Sequence, residues 1–312
     1  MSLFPSSAAS FQPVISEVVN EVDRQEFVGA RVLPYLSVNK RQGTFVKVLT
    51  SQFDNDVSKP RAAGSNYASV SGEYQSATFE CLEYGVENSL DDIEIAQAET
   101  DAQLDIVAMA ANQLADDLMV GHEIRVAAAL SGASFTSTAA TATMSTVASA
   151  TPINDVNQAV LRLQSAGIRK NLTLVMEASL YQEMLQTDDM RNLINGSGSM
   201  FWSQDQVAKV LGVDSIVIAA TRYNSAIKGQ TGSRASIWPT TSYYVASVSD
   251  GAMSGGGVGR TLCYTDRGGQ FVSETFRTEQ PPANVIRVRN SCDEIIDEII
   301  LNANAGETIT GA

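Results

Sequence analysis

Apolar and polar positions change their rhythm several times along the chain. After Pro13, Ile15, Val18, Val19 and Val22 recur at helical spacing, which predicts one short amphipathic helix through about Val22. A helix this short is not stable alone and must dock on its own body or on a neighbour. From Gly43 the period shortens. Residues 44–49 are rich in β-formers, 54–66 hold Pro60, Gly64 and several charges, and 77–84 alternate loosely. This predicts two strands joined by a long turn region. An isolated hairpin is marginal in water, so a projecting one of this length needs a second surface to lie on.

The clearest helix follows. Ser89-x-x-Asp92 resembles a capping box with Asp in place of Glu. Ile93, Ala96, Leu104, Val107, Ala111, Leu114 and Leu118 then form one apolar stripe. Proline is absent from 90–130, which predicts a helix of ~50–60 Å. The stripe is Ala-rich, which suits a spine laid along a sheet better than a coiled coil. Residues 126–154 carry no charge and read as an exposed Ala/Thr/Ser loop with one weak hairpin. Thr151-Pro152 then opens a helix with Ile153, Val156, Val160 and Leu163 on one face, ending at Gly167.

Beyond this point α and β alternate. Strands are predicted at 172–176, 215–220, 237–238 and 242–248, with helices at 178–185 and 204–211. A Gly-rich loop covers 251–259, and the end returns to β at 260–264, 270–275, 285–288 and 294–301. Long-range β pairing after a helical middle implies an α+β fold whose end packs near its beginning.

Composition narrows the function. The 312 residues carry 21 Lys plus Arg against 35 Asp plus Glu, a formal charge of −14, which opposes a protein built to grip phosphate backbones. Charged residues are only 18%, below the ~25% of typical domains. A surface poor in charge and rich in small polar groups suits a chain that packs against copies of itself. Cys81, Cys263 and Cys292, an odd count without C-x-x-C spacing, form neither a disulfide framework nor a zinc site. They read as small apolar side chains in a reducing compartment. The first residues show no signal peptide and no apolar run is long enough to span a membrane, so a cytoplasmic product is expected.

Candidate chemistry is sparse. His122 is the single histidine and is expected to be structural or solvent-facing. The glycines of 254–259 lack the Gly-Lys-Ser/Thr of a phosphate loop. Asp91, Asp92, Glu94, Glu99, Asp101, Asp105, Asp116, Asp117 and Glu123 could suggest acid–base work, but they spread along one helix and read as its solvated face. Residues 90–124 have no Lys or Arg, whereas Arg31, Lys40, Arg41, Lys47, Lys59 and Arg61 precede them. If the hairpin of one copy lies on the helix of another, such complementarity sets orientation more than affinity. The candidate inter-subunit contacts are Lys47, Lys59 and Arg61 on the basic side and Asp101, Asp105 and Asp116 on the acidic side. No catalytic, metal or cofactor residue is assigned.

The order of elements resembles the major capsid protein family of tailed bacteriophages. Ala166-Gly167-Ile168 and Asn171-Leu172-Thr173-Leu174-Val175-Met176, followed by Ala178-Ser179-Leu180-Tyr181, resemble the family's entry into its axial domain. Val210-Leu211-Gly212-Val213, Ile216-Val217-Ile218 and Arg222-Tyr223-Asn224 resemble its helix–strand–loop. Ile237-Trp238 and Gly306-Glu307-Thr308-Ile309 are similar too. The resemblance implies an N-terminal arm at 1–42 and an extended β-hairpin loop at 43–89. It implies a peripheral domain with the spine helix at 90–171, an axial domain at 172–249 and return strands at 250–290. Residues 291–312 would return to the axial domain. It further implies pentamers and hexamers of this chain in an icosahedral shell around double-stranded DNA, touched non-specifically. A portal, a separate scaffolding protein and a decoration protein would be partners, with no membrane. The shell would be a virion capsid assembled in the host cytoplasm. Lys47 and Lys59 lie where some members cross-link to a neighbour, but no acceptor is assignable and cross-linking is not expected. The other readings are a cargo-enclosing nanocompartment, a tail-tube subunit and, in a different class, a carboxylate-based hydrolase.

Overall fold

The computed structural model of the chain describes residues 10–11, 27–48, 60–61, 63–67, 74–97, 106–133, 135–168, 170–196, 202–226, 230–248, 257–265, 270–296 and 306–311. The helix expected after Pro13, most of the hairpin turn and most of the Gly-rich loop lie outside them. In chain order the first half holds β1 (Ser10–Phe11), α1 (Gly29–Val32), β2 (Tyr35–Val38), β3 (Gln42–Val48), β4 (Tyr74–Glu80), β5 (Leu82–Asp91), α2 (Asp92–Gln97), α3 (Ile106–Gly132) and β6 (Thr136–Ala139). The second half holds α4 (Pro152–Ser165), β7 (Leu172–Glu177), α5 (Ala178–Gln186), α6 (Asp188–Gly196), α7 (Gln204–Leu211), β8 (Ser215–Ala219), β9 (Arg222–Asn224) and β10 (Arg234–Ser236). It ends with β11 (Ser242–Ser247), β12 (Gly259–Tyr264), β13 (Val272–Glu279), β14 (Pro282–Ile296) and β15 (Gly306–Thr310).

Two sheets build the body. The five-stranded sheet runs β6-β15-β11-β7-β8. All six residues of β7 are buried, as expected of a central strand whose two faces are covered. β7 and β8 are parallel, and α5, α6 and α7 supply the crossover that a parallel pair requires. Val156, Val160 and Leu163 of α4, Leu180 and Met184 of α5, and Val207 and Leu211 of α7 pack into this core. The six-stranded sheet is organised by β14, which takes β5 on one edge and β13, then β12, end to end on the other. Ala111, Leu114, Leu118 and Met119 of α3 pack on one face of it, against Ile286 and Val288. The end of the chain meets its beginning as expected, because β2 pairs with β12 and β1 with β13. The C-terminal strand β15 joins the other sheet, between β11 and β6.

Several sequence expectations need correction. The helix does not begin at Leu90, because β5 runs to Asp91, and Ser89 stands in the ladder opposite Val285 rather than at an N-cap. Tyr84, Val86 and Leu90 pack toward the α3 core while Glu83, Glu87 and Ser89 face outward. That period of two, offered a full-length partner in β14, outweighs a local cap signal. Asp91 Oδ1 instead accepts from the Ile93 N–H at 2.8 Å. α2 covers Asp92–Gln97, and Ile93, 67% exposed, is not part of the apolar stripe. α3 begins at Ile106 and its 27 residues span about 40 Å. Residues 98–105, with Leu104, lie outside the described residues.

The tract 126–154 is a loop only in its later part, where residues 140–149 form bends and turns that are mostly exposed. α3 continues into the tract as far as Gly132, and Val126, Leu130, Phe135, Met144 and Ala150 are buried. Ala is the best helix former, so at the start of the tract the missing charge marks a buried helix end, not a linker. Its one strand, β6, pairs in parallel with the distant β15 rather than in a hairpin. The two strands expected at 285–288 and 294–301 are one through Ile296. Asn290 and Ser291, between the two expected strands, are buried in the ladder opposite Tyr84 and Glu83. Trp238 lies just past β10 in a bend, not in a strand. α6 was not anticipated at all.

One close approach fixes the junction of β12 and β14. A Cβ on Gly259 would stand 2.2 Å from the Ile295 carbonyl oxygen and 3.0 Å from Ile296 Cα. These are backbone atoms and cannot swing aside. Gly259→Ala should therefore cost at least ~1–3 kcal/mol in chemical denaturation. Gly132→Ala, where a Cβ meets nothing within 4 Å, should stay within about 0.5 kcal/mol of wild type. Equal stabilities for the two variants would contradict this packing.

Candidate assembly surfaces and their junction

The β3–β4 hairpin stands apart from both cores. Its strands pair from Gln42 opposite Glu80 to Val48 opposite Tyr74, as a two-stranded sheet of their own. Thr44 and Thr78 are exposed, and Phe45, Ala77 and Phe79 are only half-buried. The base is secured firmly. The Cys81 N–H donates to the Arg41 carbonyl at 2.8 Å, and the Glu80 N–H donates to Asp293 Oδ2 at 2.9 Å. Arg41 Nη2 reaches Glu83 Oε2 at 2.8 Å, and Gln42 Nε2 donates to Glu80 Oε1 at 2.6 Å. Exposed ion pairs contribute at most ~1 kcal/mol, so these contacts aim the hairpin more than they stabilise it.

The predicted contact residues fall on separate elements. Lys47 is on β3, opposite Gln75 near the far end of the hairpin. Arg61 is exposed, its guanidinium 4.7 Å over the Tyr67 ring and its Nη1 donating to the Ser65 carbonyl at 3.3 Å. Tyr67 itself is 77% exposed. Asp116 is on the exposed face of α3. Lys59, Asp101 and Asp105 lie outside the described residues. The exposed face of α3 also carries Met109 and Ile124. Ile124, Ala127 and Ala128 continue into an open groove of about 480 Å³ shared with Ile237, Trp238 and Pro239.

The sheet face away from α3 is a charge ladder. Arg287 pairs with Glu87 at 2.9 Å, and Arg289 with Glu274 at 3.0 Å and with Glu83 at 3.5 Å; Arg277, opposite Asn284 on the other face, pairs with Asp92 at 2.6 Å. The arginines of this face are thus already held by carboxylates.

Glu123 corrects the sequence reading most sharply. Counted there with the solvated carboxylates, it is 0% exposed. Its Oε2 accepts from the Gly29 N–H at 2.7 Å. Its Oε1 accepts from the Val28 N–H at 3.2 Å, Trp238 Nε1 at 2.7 Å and Thr221 Oγ1 at 3.4 Å. The side chain thereby satisfies N–H groups that the start of α1 would otherwise leave open. Gly29 is required here, because a Cβ on it would stand 2.8 Å from Glu123 Oε2. Burial pushes the carboxyl above its ordinary range, and the four donors pull it back. A hydrolase reading would need a raised carboxyl that a substrate can reach. Glu123 is raised but sealed.

The neighbouring residues are equally committed. His122 is structural and buried, not solvent-facing, and stacks on Tyr35 at 4.9 Å. The Thr261 hydroxyl donates to the Leu33 carbonyl at 3.1 Å, so it accepts from His122 Nε2 at 3.2 Å. Arg125 Nε donates to Glu294 Oε1 at 3.0 Å, and its guanidinium lies 3.7 Å over the Tyr84 ring. Among the described residues no group of His, Cys, Asp and Glu is set to hold a metal ion, and no helix is long and apolar enough to cross a membrane.

Neither a family model nor a curated protein sequence matches the chain. Solved structures do. A phage-related protein from Bordetella bronchiseptica RB50 superposes with a TM-score of 0.74 at 14% identity, over 98% of this chain and 99% of that one. A putative prophage capsid protein from E. coli CFT073 gives 0.59 at 9%, over 97% and 99%. The capsid structure of cyanophage P-SCSP1u gives 0.55 at 12%, over 100% and 91%. The chain has the phage capsid fold, an α+β architecture, over essentially its whole length.

The seam also yields a measurable expectation. Glu123→Ala removes the acceptor of three buried donors, the Val28 and Gly29 N–H groups and Trp238 Nε1, and should cost at least ~3 kcal/mol at ~1–3 kcal/mol per unsatisfied buried group. Trp238→Phe removes one donor and keeps the carboxylate, at about 1 kcal/mol. Denaturation of the two variants that gives the same loss, or a loss under ~1 kcal/mol for Glu123→Ala, would contradict the role assigned to Glu123.

Proposed function

We propose that this chain is a major capsid protein of a tailed bacteriophage, a structural protein that assembles through pentamers and hexamers into an icosahedral shell around double-stranded DNA. The observation that carries this reading is the whole-length capsid fold, with the β3–β4 hairpin held out beyond both cores. In this reading residues 1–42 are the arm and 43–89 the extended loop. The sheet under α3 is the core of the peripheral domain, comprising 90–171 and the return strands 250–290. Residues 172–249 with the C-terminal strand form the axial domain.

Physics favours such a role. A hairpin that buries little on its own gains order when a neighbour covers it, which couples folding to binding. A formal charge of −14 and arginines already paired on one sheet face keep any contact with packaged DNA loose and non-specific. Partners consistent with the reading are further copies of this chain, a portal, a separate scaffolding protein and a decoration protein. Assembly would take place in the cytoplasm of a bacterial host. Lys47 and Arg61 meet carboxylates of a neighbour, with Asp116 as one acceptor.

The hairpin provides the test. Gln42 and Glu80 are cross-strand partners, so replacing 43–79 by Asn-Gly closes a short turn and removes no described residue of either core. The shortened chain should keep the thermal unfolding of the full chain and sediment as a subunit, while the full chain forms large assemblies. Shells formed equally well by the shortened chain would refute the assembly role.

A further inference from the structure

Spacing along the sequence gives the three cysteines no chemistry; the register of the six-stranded sheet gives it to two of them. Cys263 on β12 stands directly opposite Cys292 on β14 in an antiparallel pairing. The kind of opposition follows from the backbone. The Thr261 N–H donates to the Pro34 carbonyl at 3.0 Å and the Thr265 N–H to the Val38 carbonyl at 3.3 Å. N–H groups two residues apart in a strand point to the same edge, so that of Cys263 also points toward β2 and away from β14. The two cysteines are therefore a non-hydrogen-bonded pair, the closer class, with Cα atoms ~4.5 Å apart. A disulfide tolerates Cα separations of ~4.4–6.8 Å, so the ladder already holds the pair within range.

The surroundings supply the rest. Both side chains are 1% exposed and lie on the sheet face that α3 covers. Thr261, two residues before Cys263, contacts His122, and Glu294, two residues after Cys292, contacts Arg125. Arg125 Nη2 lies 3.3 Å from Cys292 Sγ, and that thiol donates to Glu294 Oε1 at 3.6 Å. One thiol thus has a cation beside it to stabilise a thiolate and a carboxylate to receive its proton. Burial works the other way and keeps the Cys292 thiol protonated in the closed fold, so reaction needs a transient opening of this face. Cys81 is excluded by the register. Leu82, not Cys81, stands opposite Cys292, and the Cys81 thiol is engaged elsewhere, 3.7 Å from the Leu262 carbonyl oxygen.

We propose that Cys263 and Cys292 form a latent disulfide site, a cross-strand dithiol that oxidises to an intrachain staple between β12 and β14. The oxidant is a small-molecule disulfide such as oxidised glutathione. Cys292 passes its proton to Glu294, and its thiolate attacks the small disulfide, breaking that S–S bond and releasing one thiolate. The Cys263 thiolate then attacks the Cys292 sulfur of the mixed disulfide and expels the second. Two protein thiols are oxidised by two electrons, one small disulfide is reduced to two thiols, and the two protons end on those leaving groups. The staple ties β12, and through it β2, to the central strand of the sheet. The site stands independently of the shell reading.

The test uses the full chain, purified with reductant that is then removed. Folded protein is incubated with oxidised glutathione in mildly alkaline buffer, with and without urea below the unfolding transition. Thiols are counted after denaturation, and peptides are mapped without reduction by mass spectrometry. The expected result is a fall from three thiols to one, with a linked peptide containing Cys263 and Cys292 that separates on reduction. Cys81→Ser should lose both of its remaining thiols in the same way. Full retention of all three thiols in both buffers, or a linkage that uses Cys81 or joins two chains, would overturn the proposal.

Discussion

Glu123 is wholly shielded from water, and what satisfies it comes from three distant stretches of chain: Val28 with Gly29, Thr221, and Trp238. Its position along α3 explains why this matters. Met119, one turn earlier, belongs to the core beneath the six-stranded sheet, and Val126, one turn later, belongs to the core of the five-stranded sheet. Phe27 and Val28, adjacent in sequence, likewise divide between the two cores. The carboxylate sits where one helix passes from one core to the other. A buried charge is costly unless every lone pair is met, so it tolerates one arrangement of these segments and penalises the rest.

That constraint would serve the proposed role of an assembling subunit. A rigid seam lets two cores behave as one body while the hairpin, which neither core needs, projects from it. The base of the hairpin is tied through Arg41, Glu80 and Cys81 to β5 and β14, so its direction is set by the same sheet that α3 organises. In the proposed shell, contacts made beyond that base can be modest individually, because a closed shell repeats each of them many times.

How much of this the sequence disclosed varies with the kind of signal. The strand at Leu172–Glu177, the helix from Pro152 and the helix Gln204–Leu211 were legible because local pattern and tertiary environment agree. β5 was misread at its end because a cap-like Ser89-x-x-Asp92 competes with alternation, and only the distant partner β14 decides. The buried end of α3 was hidden because Ala-rich sequence without charge suits a loop and a covered helix equally. Glu123 could not be told from Asp116 by spacing alone. Its one available hint was the run of buried-type residues around it, Met119, Val120, Val126 and Ala127. The charge asymmetry behind the proposed acidic and basic contact residues was legible, but their pairing between copies is a proposal that a single subunit does not display. The closeness of Cys263 and Cys292 depends on register, which no sequence spacing encodes.

Electron microscopy of the purified full chain, negatively stained, tests the central claim most directly. The account predicts closed shells, or rings of five and six subunits, formed by this chain alone or once a scaffolding protein is co-expressed. Open tubes of stacked rings, or a dispersed monomer under both conditions, would contradict it.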